Sequence, residues 1–259
     1  MRHLREAVAT VLPPLIAFAA LIIVWQTAAA TGIVDQGVLP APSRVAEQGF
    51  SQWGALMRHT APTLVATILG FALSITVAFL VAVALDFSGT LRGAILPLLI
   101  VGQTLPLIAL APLVVLWFGF GLLPKVLLVA FVTFFPMVVG LMRGFASADS
   151  EAQYLLRSMG AGRGRVFSMI RLPSAMPSFF SALRISITYA VVGAVFAEYA
   201  GAVSGLGVYM QSAKNVFRTD LVLAAVAVSS ALTLLLYLLV VVIERAMLPW
   251  HRIDVGART

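Results

Sequence analysis

Few side chains in this 259-residue chain are equipped for chemistry, and their spacing argues against catalysis. His3, His59 and His251 are scattered over both termini and one loop, so they form neither a metal cluster nor a Ser/His/Asp grouping. The absence of cysteine removes thiol nucleophiles, Cys-based metal sites and disulfides together. No G-x-x-x-x-G-K-[ST] loop exists, because Lys125 follows Pro124 and Lys214 follows Ala213, so the chain does not hydrolyse ATP in the P-loop manner. The "GAGRG" stretch at 160 to 164 fails the G-x-G-x-x-G pattern and reads as a turn. What remains is a set of uncharged polar residues in apolar surroundings: Gln103 and Thr104 beside Pro106, then Thr133 and Tyr189. Unsatisfied polar groups in apolar surroundings are costly, so these positions are predicted to face a watery path rather than the apolar phase. In the competing reading, each threonine hydroxyl bonds a carbonyl of its own helix.

The surroundings of those residues are lipid-like in composition. Hydrophobic residues make up 61% of the chain and charged ones 10%, against roughly 45–50% and about 25% in an average soluble domain. A soluble fold of this length could not hide so much apolar surface. The formal net charge is +7, from 17 basic and 10 acidic residues. Such a balance points to nucleic acid or membrane, and the apolar content selects membrane.

A hydrocarbon core about 30 Å thick needs about 20 apolar residues in a helix. Six runs meet that length, at residues 11 to 30, 60 to 85, 94 to 118, 122 to 142, 179 to 200 and 221 to 243. The first ends in Ala28, Ala29 and Ala30, as a signal peptide could, but it is a full span long where a signal core has about 7–15 residues. With the N-terminus inside, eleven basic residues fall on the inner side; Arg44, Arg58, Lys125, Lys214 and Arg218 fall on the other. Because Lys and Arg accumulate in cytoplasmic loops, both termini are predicted to be cytoplasmic, with residues 143 to 178 as the largest cytoplasmic loop. The whole chain, 1–259, reads as a single transmembrane domain, all α-helical.

Two spans stand out. The third carries Pro97, Pro106 and Pro112 with Gly102, Gln103 and Thr104 between them, and the fourth carries Pro124 and Pro136. Such breaks free backbone groups that lipid cannot satisfy, so they belong where a helix is buried in protein or lines a watery cavity; a kink that serves packing only is the alternative. No Asp, Glu, Lys or His falls near the middle of any run, and Glu198 and Arg184 lie towards opposite ends of the fifth. A proton-coupled carrier therefore lacks its obvious coupling residue.

The most informative segment is residues 150 to 184. Ser150 followed by Gln153 forms a capping-box pattern, which predicts a helix through "EAQYLLRSM" that Gly160 ends. Tyr154, Leu155 and Leu156 would there expose apolar surface beside Arg157, as a helix that waits for a partner surface does. An amphipathic helix lying on lipid headgroups is the other reading.

Here the chain resembles a known family. Gly160, nine residues on, is followed by Ile170, Arg171, Leu172 and Pro173, which matches the G-x9-I-x-L-P half of the EAA loop of ABC-importer permeases. The E-A-A half departs from the pattern, with Tyr154, Leu155 and Leu156 in its place and Glu151 three residues early. "LPAPSRV", "HTAPTLVATILGF", "QTLPLIALAPLVVLWFGFGLLPK" and "FAEYAGAVSGLGVYM" extend the likeness along nearly the whole chain, to the nitrate/taurine-type permeases and within them to the hydroxymethylpyrimidine and riboflavin types.

The resemblance implies a type I ABC-importer permease fold with six transmembrane helices and a cytoplasmic coupling helix, in a bacterial inner membrane. It implies a second permease subunit, most simply a homodimer, with two cytosolic ATPase subunits and an extracytoplasmic solute-binding protein. The chain itself would be non-catalytic and bind no cofactor, ATP and magnesium belonging to the ATPase. Tyr154, Leu155, Leu156, Arg157, Gly160, Arg163, Ile170, Leu172 and Pro173 would form the ATPase-coupling segment. Glu198, Tyr199, Lys214 and Arg218, on the outer loop from 198 to 220, would receive the binding protein, unless that loop is an ordinary solvated one with Leu206 buried. A secondary transporter or a membrane scaffold without transport activity are the other function classes; co-purification of an ATPase separates them.

Overall fold

The computed structural model describes residues 2–32, 34–35 and 37–249, and among these the chain is helices and short connections. Eleven α-helices follow in order: α1 (Arg2–Ala30), α2 (Pro42–Ser51), α3 (Trp53–Phe87), α4 (Gly89–Gly102), α5 (Leu107–Phe118), α6 (Leu122–Ala146), α7 (Ser150–Ser158), α8 (Arg163–Val166), α9 (Leu172–Tyr199), α10 (Leu206–Asn215) and α11 (Thr219–Met247). A π-helical turn, Phe167–Arg171, joins α8 to α9. His251, and Arg252 and Arg258 among the eleven basic residues counted on the inner side, lie outside the described residues.

Among the described residues five helical segments are long and apolar enough to cross a membrane: Leu12–Ala30, Trp53–Phe87, Leu122–Ala146, Arg163–Tyr199 and Thr219–Met247. The third expected span differs. It is a pair, α4 and α5, bent by 102° at the break, which makes six crossings only if that pair counts as one. Pro106 sets the break: it has no N–H to donate, and it drives the residue before it out of the helical region. Pro97 and Pro112 sit inside α4 and α5 without ending them.

The expected loop from 143 to 178 is a second difference. Most of it is helical, and the fifth span begins at Arg163 rather than near residue 179. Pro173 hid this continuity in the sequence, since its ring should clash with the carbonyl four residues back. That carbonyl, of Met169, lies in the π turn, where the wider register accommodates the ring without ending the helix.

The chain divides into two compact units, Met1–His59 with Tyr209–Val228, and Thr60–Val208 with Ser229–Thr259. In the first, Trp25 Nε1 donates to the Pro40 carbonyl at 3.1 Å, and Gln26 and Ser43 exchange two hydrogen bonds of 3.2 Å. A buried carboxylate, Asp220, gathers Arg218 at 2.9 Å and Arg44 at 3.4 Å.

The second unit holds the core. α6 and α9 pack along their lengths, with Val129, Met137, Val138, Leu141, Phe180 and Ile187 between them and their neighbours. Small residues set this spacing: a Cβ added at Gly144 would stand 2.6 Å from the Cα of Ala175, and one at Gly140 would overlap Ala182. Close backbone approach of this kind is how membrane helices gain packing contacts when lipid competes for their apolar side chains.

Candidate functional site

The segment that follows α6 is built to present apolar side chains outward. Asp149, not Ser150, caps α7: its carboxylate accepts from the Glu151 N–H at 2.9 Å, while Gln153 Nε2 donates to the Ala148 carbonyl at 3.1 Å. The capping-box reading was therefore one residue late. Asp149 takes the role because a carboxylate also complements the positive end of the helix. At the other end Gly160 adopts φ +82°. Its N–H donates to Arg157 and that of Ala161 to Leu156, at 2.9 and 3.0 Å, which is a Schellman closure. Between these stops Tyr154 is 70% exposed, Leu155 64% and Met159 75%. Leu156 is half-buried and Arg157 exposed.

Beneath α7 a charged joint ties the segment to the bundle. Arg171, the last residue of the π turn, makes an ion pair of 2.7 Å with Asp86 near the end of α3, and its Nη2 donates to the Phe145 carbonyl of α6 at 3.3 Å. Arg163 donates to the Phe87 carbonyl at 3.2 Å and lies 6.0 Å from the centre of that ring. Phe167 stacks obliquely against both Phe87 and Phe145 at 5.3 Å. Ile170 and Leu172 are half-buried and Leu172 packs on the core, so these motif residues anchor the stalk while Pro173 stays exposed.

At the opposite end of α6 a second charged joint is enclosed. Glu198, in the last turn of α9, is buried, with Lys125 Nζ at 3.7 Å. Thr63 Oγ1 lies 2.9 and 3.0 Å from its two oxygens, and the Gly207 N–H donates to one of them at 2.9 Å. Lys125 also donates to the Ser204 carbonyl at 2.8 Å. The carboxylate thus sits at the start of α10, where free N–H groups favour an anion. Gly205, at φ +136°, passes so close that any Cβ there would overlap the Glu198 carboxylate.

This placement corrects the docking expectation for Glu198, which is enclosed rather than offered on an outer loop. Tyr199 is partly exposed and Lys214 exposed, whereas Arg218 is committed to Asp220 and to Gln48 Oε1 at 2.8 Å. Leu206 is buried. The loop tip after α10 is apolar: Phe217 is 89% exposed and holds φ +57°, a conformation that a residue with a Cβ rarely adopts.

The residues expected to line a path divide. Gln103, Thr104 and Pro106 are exposed at the α4–α5 break, where Thr104 Oγ1 donates to the Val101 carbonyl at 2.7 Å. Tyr189 is half exposed on α9. Thr133 is a correction: it is fully buried, and its hydroxyl donates to the Val129 carbonyl at 2.7 Å, so its polarity is spent inside its own helix. The sequence reading missed Thr63, Asp86, Lys125 and Arg171. For Thr63, Asp86 and Lys125 the available signal was an ionisable or hydroxyl group close to the end of an apolar run, whereas Arg171 lay inside the motif match without a role of its own.

Comparison with known proteins then bears on this arrangement. A family profile described as "Binding-protein-dependent transport system inner membrane component" matches residues 70–249. The chain is 33% identical to the formylaminopyrimidine transport permease protein ThiX of Halalkalibacterium halodurans, over 93% of this chain and 96% of that one. It is 32% identical to the taurine transport system permease protein TauC of Escherichia coli, over 90% and 87% of the two chains. Among solved structures, the MetNI methionine ABC transporter in inward-facing conformations aligns with a TM-score of 0.65 at 17% identity, covering 74% of this chain and 95% of that chain.

Proposed function

The chain belongs to the binding-protein-dependent transport system inner membrane components, and from that premise we propose that it couples ATP-driven closure of an ATPase pair to the import of a small solute through α7. It is a multi-pass inner-membrane permease subunit of an ABC importer, with the type I importer permease fold, and it works with an ATPase and a solute-binding protein. The observation that carries the coupling role is α7 itself: a short helix closed at both ends, with Tyr154, Leu155 and Met159 largely exposed. Burying such side chains in a partner groove gains roughly 1.5–3 kcal/mol each, before the cost of association.

The geometry supports a mechanical reading. ATP acts through its differential affinity for two states of the transporter, since a ligand that binds both equally shifts nothing. A force applied at α7 reaches α3 through Arg171–Asp86 and Arg163–Phe87, and reaches α6 through Arg171–Phe145. The α4–α5 break, with Gln103 and Thr104 exposed, lines the path, and two copies of the chain enclose it. Both termini lie in the cytoplasm, on the side of α7. The subunit holds no catalytic site; nucleotide and magnesium bind the ATPase. The relatives named for formylaminopyrimidine and taurine support a small organic or anionic solute.

The test is nucleotide-dependent accessibility in the assembled transporter. Single cysteines at Gln103 and Thr104, in a chain with no native cysteine, should change their rate of modification by a water-soluble thiol reagent when the ATPase is locked with ATP. Equal rates in both nucleotide states would refute alternating access at this break.

A further inference from the structure

A cavity of about 520 Å³ opens between α6, α9 and α11, at the same end of α6 as the coupling segment. Its polar lining consists of Arg143, Ser178, Ser181, Arg184 and Glu244. Apolar walls come from Pro136 and Ile185. The volume falls within the roughly 300–1,000 Å³ typical of small-molecule sites.

The charges inside do not balance. Arg184 Nε lies 3.2 Å from Glu244 Oε2, and its Nη2 donates to Ser181 Oγ at 3.3 Å. Ser181 in turn donates to the Pro177 carbonyl at 2.9 Å. Arg143 is exposed, and no ion pair joins it among the described residues. Two guanidinium groups and one carboxylate leave the lining one positive charge in excess, which a monoanion neutralises. Guanidinium forks match oxyanions two bonds at a time, and the Ser178 hydroxyl adds a further donor.

Depth favours the same occupant. Measured from the Lys125–Glu198 joint at 1.5 Å per residue, Arg184 lies about 21 Å and Arg143 about 27 Å along their helices. Those separations approach the roughly 30 Å thickness of a hydrocarbon core, so the two arginines stand towards the α7 end of the bundle. Charged side chains within spans are costly unless they serve a partner, and basic pockets between membrane helices suit acidic headgroups.

We propose that this cavity is an anion site for a tetrahedral oxyanion, a phosphate or sulfonate group, held by Arg143, Arg184 and Ser178. The group comes from an anionic lipid or from a soluble anion, and it bridges α6 to α9 beside the coupling segment.

The experiment uses the full permease purified with its ATPase. Phosphatidylglycerol, phosphatidylcholine, inorganic phosphate and methanesulfonate are each titrated while the thermal unfolding midpoint is followed. Phosphatidylglycerol or one of the two small anions should raise the midpoint of the wild type, and R143Q should raise the half-saturating concentration at least ten-fold. R184Q/E244Q, which keeps the charge balance, should do the same; if it does not assemble, the exposed R143Q decides alone. A response to phosphatidylglycerol only assigns the lipid source, and a response to phosphate or methanesulfonate only assigns the soluble one. No response, a response shared by phosphatidylcholine, or an equal response in R143Q overturns the site. The readout needs neither ATP hydrolysis nor transport, so its failure leaves the importer assignment standing.

Discussion

Asp86 and Arg171 meet at 2.7 Å beneath α7, the first near the end of α3 and the second closing a π turn, and they tie the segment after α6 to α3. Asp86 is almost enclosed, while Arg171 keeps about a quarter of its side chain in solvent. Removing one partner from a buried pair leaves an uncompensated charge, at roughly 3–5 kcal/mol when both are enclosed and less here. We expect R171Q to lose most transport while ATP hydrolysis by the assembled complex continues. The exchanged pair D86R/R171D should recover a measurable part of transport. If the exchange recovers nothing although the complex assembles, Arg171 acts through some other contact.

Gly160 should tolerate alanine poorly. At φ +82° a Cβ costs roughly 1–2 kcal/mol, although nothing crowds the position. Hydrogen exchange at the Gly160 and Ala161 amides, which close α7, should rise several-fold in G160A while exchange in α6 stays unchanged. Unaltered protection at both amides would mean that the closure does not depend on glycine.

The enclosed carboxylate at Glu198 makes a contrast between two glycines. Gly205 at φ +136° has no room for a Cβ, whereas Gly119 at φ +75° has nothing within 4 Å. G205A should therefore lower the thermal midpoint well beyond G119A, because it adds steric overlap to the shared backbone strain. Equal shifts would show that Glu198 yields to the intruding methyl group.

How much of this was readable in the chain differs by feature. Helix α7 was legible because its signals are local: a polar capping residue, an apolar triplet and a glycine stop within a dozen residues. The cap itself was misread, since Asp149 and Ser150 are both good caps and only geometry chooses between them. The Lys125–Glu198 joint was not legible, because two charges at the ends of separate apolar runs look like ordinary loop charges until α6 and α9 are laid side by side. The π turn at Phe167–Arg171 left no signal in periodicity, and it puts Pro173 in the first turn of α9, where proline does not end a helix.

Thr133 and Gln103 looked alike as polar residues in apolar runs, and the structure separates them. Gln103 is exposed at the break, while Thr133 is enclosed and bonded to the Val129 carbonyl. A cysteine at Gln103 should react with a water-soluble thiol reagent, and one at Thr133 should stay protected in every nucleotide state. Reaction at Thr133 would require α6 and α9 to part during transport.

If α7 is where the ATPase holds this subunit, Y154D/L155D should release the ATPase from detergent-solubilised permease, and retention of the ATPase on that variant is the measurement to make. Both side chains are more than 60% exposed and neither belongs to the core, so the variant should insert in the membrane and keep the wild-type unfolding profile. ATPase retention should fall at least ten-fold, as expected if two apolar contacts worth roughly 1.5–3 kcal/mol each are lost. Wild-type retention by a correctly inserted Y154D/L155D permease would place the ATPase contact elsewhere than α7.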